Sequence, residues 1–141
     1  MMITVNQYMT GMAKLINDSS VTSLLNGGIT KGAKRPDNVS YPCLTVIGNQ
    51  TDVGENTTLQ TFTGIINIFA GSELNGAADV ATIASIESAL ITLVNVIGWT
   101  DGNTKCISQF YTGTTAPLWD ANDGNVHFAA LQVQSFMIDT S

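Results

Sequence analysis

At 141 residues, with 44% hydrophobic and only 11% charged side chains, the chain can remove roughly two thirds of its unfolded surface from water, and its composition excludes a disordered tail. Five basic against eleven acidic residues give a net charge of -6, the wrong sign for a protein that grips nucleic-acid phosphates. The first residues do not read as a secretory leader and no apolar stretch has bilayer length, so the expectation is folding in a cytosol with no membrane partner.

Thr4-Val5-Asn6-Gln7 has the form of a capping box, and Val5, Tyr8, Met9, Met12, Leu15 and Ile16 recur at helical spacing behind it. The first element is therefore an amphipathic helix. Asn17 to Ser20 break it, Val21 to Leu25 suit one further turn, and Asn26-Gly27-Gly28 opens a loop expected to run to about Asn38. Lys31, Lys34 and Arg35 crowd into that loop, which predicts a local positive patch on an acidic protein.

Tyr41 to Ile47 reads as a strand with Pro42 at its start, and Leu59 to Phe69 as a longer one. Between them, Gly48 to Thr58 is polar apart from Val53, as a projecting hairpin arm or a mobile loop would be, and is a candidate contact arm with Asp52, Val53 and Glu55 as its contact residues. A second helix follows. Asn75 is the predicted N-cap, Asp79 suits the first turn, Val80, Ile83, Ile86, Leu90, Leu93, Val94 and Ile97 make the apolar stripe, and Gly98 ends it. Asp101-Gly102 turns the chain into a strand over Thr104 to Tyr111, and Asp123-Gly124 introduces a last strand up to Ile138. In that last strand Leu131 and Val133 alternate with Gln132 and Gln134, which calls for one buried and one wet face. The predicted fold is one α+β domain over residues 1–141, in the order α-β-β-α-β-β. It carries a small mixed, mainly antiparallel sheet of about four strands packed by two main helices.

Chemistry-bearing patterns are sparse. Cys43 and Cys106 each sit in an apolar strand-like run and read as buried free thiols. His127 is the single histidine, so a multi-histidine metal site is excluded and a hydrolase built on it has no partner residue that spacing can name. Gly27 to Gly32 fails as a phosphate loop because Ala33 and Lys34 stand where Lys and Ser/Thr are required. Trp119 to Gly124 fails as a calcium loop because Gly comes one position early and no glutamate closes it. Trp99 and Trp119 suggest an aromatic-lined cleft for a small ligand or partner, although aromatics at element ends more often lid a core. No catalytic residue, cofactor or metal is expected. The sequence reads as that of a structural, non-enzymatic protein.

The ordered set of basic loop, Tyr41-Pro42-Cys43-Leu44-Thr45-Val46, long strand, Ala77-Ala78 opening a helix that ends Ile97-Gly98-Trp99, Leu118-Trp119-Asp120, and a closing strand ending Phe136-Met137-Ile138 resembles the tail completion or tail terminator proteins of tailed bacteriophages. The likeness covers nearly the whole chain, which departs from the family in being richer in Thr and Asn and poorer in charge. It implies a subunit of a homo-oligomeric ring, a hexamer in preference to a larger ring, at the head-proximal end of the tail. Such a ring stops tube growth, meets the tail tube and the neck, and lets DNA through without binding it specifically. It implies a place in the virion, assembled in the host cytoplasm, with a neck ring below the portal as the nearest alternative. Lys31, Lys34, Arg35, Asp52, Val53 and Glu55 are the candidate subunit-contact residues.

Overall fold

Thr4 caps the first helix as its sequence requires. Its Oγ1 accepts from the Gln7 N–H at 3.1 Å while Gln7 Oε1 accepts from the Thr4 N–H at 2.8 Å, and the helix α1 runs over Val5–Asn17. The computed structural model of the chain describes residues 2–52, 59–95, 98–120 and 125–141. The predicted contact residues Val53 and Glu55, the end of the helical stripe at Ile97 and the Asp123-Gly124 turn lie outside these.

After α1 a 3₁₀ turn, Ser20–Leu24, is followed by β1 (Ile29–Lys31), β2 (Cys43–Asp52), β3 (Gln60–Gly71), α2 (Val80–Val94), β4 (Trp99–Asp101), β5 (Thr104–Thr114), β6 (Leu118–Trp119) and β7 (Val126–Asp139). They form one sheet of seven strands in the order β1-β2-β3-β7-β5-β4, with β6 also pairing β7. Among the described residues, β1 and β2 pair in parallel and the other strand pairs are antiparallel. The four long strands are the four that were predicted, so the mixed, mainly antiparallel α+β expectation holds. The count does not, because three strands of two or three residues carry too little alternation to be read. β1 lies inside the stretch expected to be loop, where the Leu44 N–H donates to Gly28 O at 3.0 Å and Gly32 N–H to Val46 O at 2.9 Å.

Three further boundaries differ. Gly48 to Asp52, expected within the polar connection, extend β2 as one side of a hairpin, with Gly48 opposite Gly64 and Asp52 opposite Thr61. The apolar alternation stops at Ile47, but the ladder does not, since backbone pairing needs no apolar side chain. The cap of α2 is Asp79 instead of Asn75. Asp79 Oδ1 accepts from the Thr82 N–H at 3.1 Å and its Oδ2 from the Thr82 hydroxyl at 2.7 Å, bonds that lower the carboxyl's pKa. Asn75 Oδ1 instead takes the Ala77 N–H, two residues on, in a tight turn before the helix. The helix ends at Val94 with Asn95 as C-cap, and Val80 is exposed, so the buried stripe is Ile83, Ile86, Leu90 and Val94.

Both helices cover one face of the sheet. Phe62, Ile66 and Ile68 of β3 and Leu131, Val133 and Met137 of β7 point to that face and join Tyr8, Met12 and Ile16 of α1 and the α2 stripe in one core. Of the wet face predicted for Gln132 and Gln134, Gln132 is exposed and Gln134 is half-buried, while Leu131 and Val133 are buried. The sheet also curls, so that both of its edges come round to α1. Lys31 Nζ of β1 donates to Thr10 Oγ1 at 2.9 Å, and Lys14 Nζ lies 3.5 Å from Asp101 Oδ1 at the end of β4.

The thiols of Cys43 and Cys106 are free and buried, as expected, and burial pushes each from an ordinary 9.0 up to about 11. A thiol reagent should therefore modify neither at neutral pH until denaturant is added, when both react. The folded state holds these protons where the unfolded chain gives them up, so stability is intact below about pH 9 and falls as pH rises toward 11. Urea titrations at stepped pH would show a constant or rising midpoint across that window if the thiols were solvated.

Candidate functional site

The face of the sheet without helices is crossed at one end by the chain from Gly32 to Tyr41, and this crossing builds a concavity among the described residues. Phe69 of β3 and Phe128 of β7 lie opposite each other in register on that face, with ring centroids 5.5 Å apart. With Cys43, Val126, Val39 and Tyr41 they form a second, smaller apolar cluster, separate from the helix-side core.

Arg35 fastens the crossing segment to this cluster. Its guanidinium stands 4.3 Å from the Phe69 ring centre and 5.5 Å from that of Tyr41, donates from Nη1 to the Tyr41 hydroxyl at 2.9 Å, and pairs through Nη2 with Asp120 just after β6. Only 16% of the Arg35 side chain and 11% of that of Asp120 remain exposed. A planar guanidinium suits this position because it stacks on a ring with its face while its edge donates. The resulting cleft, about 1040 Å³, has Phe69, Phe128 and Asn67 among its lining, with Lys34 and Asp37 on the crossing segment and Trp119 opposite. Trp119 is 60% exposed and Lys34 is exposed.

The three basic residues expected to form one patch are thus separated. Lys31 lies on β1 and turns toward α1, Arg35 is drawn into the cluster, and Lys34 alone of the three stands exposed at the cleft. Asp52 ends β2. The two tryptophans do not share a cleft. Trp99 lies against Gly11 of α1 and donates from Nε1 to Gln109 Oε1 at 3.0 Å, whereas Trp119 stands at the Arg35 cleft.

His127 gains a neighbour that no local motif announced: Ser72 Oγ lies 2.8 Å from its Nδ1, across 55 residues of sequence. Among the described residues, no three His, Cys, Asp or Glu side chains gather as a metal would require. Sequence reasoning also missed Asp120 as the partner of Arg35, which is 85 residues away. The available signal was the Leu118-Trp119-Asp120 run, where an acid follows two large apolar residues.

No family model matches the sequence, and no curated protein matches it. Among solved structures, the chain is similar to a chain in the virion of a native gene transfer agent (GTA) particle, with a TM-score of 0.66 at 10% sequence identity. The match covers 92% of this chain and 93% of that one, so what the two share is the fold, from end to end.

Proposed function

We propose that the protein is a virion structural protein, a subunit of a ring at the head-proximal end of a phage-like tail that ends the tail tube and joins it to the neck. The observation that carries this reading is the fold likeness over nearly the full length to a chain of a gene transfer agent virion. The family resemblance in the sequence points the same way. In this reading the chain performs no catalysis; its working parts are faces and edges, and a hexameric ring is the preferred assembly. A net charge of -6 suits a channel through which DNA passes without being held.

Deleting the gene from the genome that produces the particle, with electron microscopy of the products, tests the proposal. The expected products are filled heads without joined tails, together with tails of uncontrolled length. Tails of normal length beside unjoined heads would move the subunit to a neck ring below the portal. Normal particles, or purified virions in which mass spectrometry finds none of this chain, would overturn the reading.

A further inference from the structure

Leu74 is the most exposed large apolar side chain among the described residues, at 111% relative exposure. It stands in the turn between β3 and α2, and that turn is held. The Gly76 N–H donates to Glu73 O at 2.8 Å, the Glu73 N–H to Ala77 O at 2.9 Å and the Ala77 N–H to Asn75 Oδ1 at 3.0 Å, with Gly76 at φ +81°. A leucine presented on an ordered turn loses little further freedom when it is covered, and covering it is favourable.

We propose that the Glu73-Leu74 turn of one copy of this chain seats in the Arg35 cleft of another copy, with Leu74 against the Phe69–Phe128 floor and Glu73 beside Lys34. Polarity fits, because the cleft offers an aromatic floor and an exposed tryptophan rim, the composition in which apolar anchors bind best. Charge fits as well. The sequence has no Lys or Arg between Arg35 and Lys105, so the turn and α2 carry Glu73, Asp79 and Glu87 with no base to offset them. Arg35 is already paired with Asp120, which leaves the exposed Lys34 as the cation for an incoming carboxylate, so Glu73 seats on the Lys34 side and away from Asp37 on the same segment. The turn leads into α2 on the helix-covered side of the sheet, whereas the cleft opens on the other side. Turn and cleft are different patches, so the contact either repeats head-to-tail, closing a ring or running on as a filament, or is exchanged reciprocally in a two-fold dimer. The closed ring rests on the function proposed above; the contact itself does not.

Sedimentation of the purified full chain over a wide concentration range tests the contact. Wild type is expected to associate, Leu74→Glu to associate about tenfold or more weakly at an unchanged melting temperature, and Glu73→Lys and Lys34→Glu each to weaken association. The Glu73→Lys/Lys34→Glu double variant, which restores opposite charges across the contact, is expected to recover it. A Leu74→Glu protein that associates as wild type does, or a double variant no better than either single one, overturns the contact and leaves the ring reading standing. A wild type that stays monomeric to about millimolar concentration also overturns it, while the gene deletion judges the ring independently.

Discussion

Tyr8→Ala is expected to lower the stability of the fold by about 3–5 kcal/mol, a large share of the roughly 5–15 kcal/mol that holds a domain together. Tyr8 is fully buried between α1 and the sheet, its ring stacked on Phe62 at 4.7 Å between centroids. The sheet is shaped to receive it. Gly48 and Gly64 face each other across β2 and β3, and a Cβ at either would come within 2.8 Å or less of a Tyr8 atom. Alanine at position 8 therefore leaves a hole lined on two sides by glycine, which neighbouring side chains cannot fill. The phenol carries a second part of the loss. Its hydroxyl bonds Ser135 Oγ at 2.8 Å, Ser135 Oγ donates to Gln109 Oε1 at 3.3 Å, and Trp99 Nε1 donates to the same oxygen. Burial holds the phenol protonated far above its ordinary range. Tyr8→Phe keeps the ring and is expected to cost about 1 kcal/mol. Urea unfolding of the two variants separates the terms, and a Tyr8→Ala loss below about 1 kcal/mol would show that the slot closes by itself.

Arg35→Ala is expected to cost about 2–4 kcal/mol, because it leaves the Asp120 carboxylate without its cation in a site where only 11% of that side chain is exposed. The guanidinium also covers the Phe69 ring, so the change removes a stacking contact together with the charge. Arg35→Lys should recover little, since an ammonium cannot lie flat on Phe69 while donating to both Tyr41 and Asp120. The paired replacement Arg35→Met/Asp120→Leu should regain most of the loss, because it leaves no charge unpaired. A surface ion pair would behave differently: removing it would cost under about 1 kcal/mol, and salt would weaken it. Urea midpoints at low and high salt, read with a double-mutant cycle, decide between the two. The result also bears on the cleft, since Arg35 holds the segment that carries Lys34.

Legibility followed the range of the forces. The capping box at Thr4 and Gln7, the stripe of α2, the four long strands and the alternation at Leu131 and Val133 were all readable, because each is written within a few residues. Strand β1 was not, since three residues between glycines have no period and are held by β2, which lies more than ten residues further on. The Asn75 cap was misplaced by four residues because Asn75 and Asp79 both carry the right side chain, and only the backbone path chooses which one starts the helix.

By itself, then, the sequence determined an acidic α+β chain with an N-terminal helix, two strand pairs, buried thiols and three basic residues close together in one segment. Local periodicity and capping need only neighbours in the chain. The tertiary structure alone decided that Arg35 turns inward to Asp120 while Lys34 stays outside, that Ser72 meets His127, and that two glycines make room for Tyr8. Those outcomes depend on strand register and on the curl of the sheet. Both are set by burying the apolar face against two helices, and that burial is a property of the whole chain.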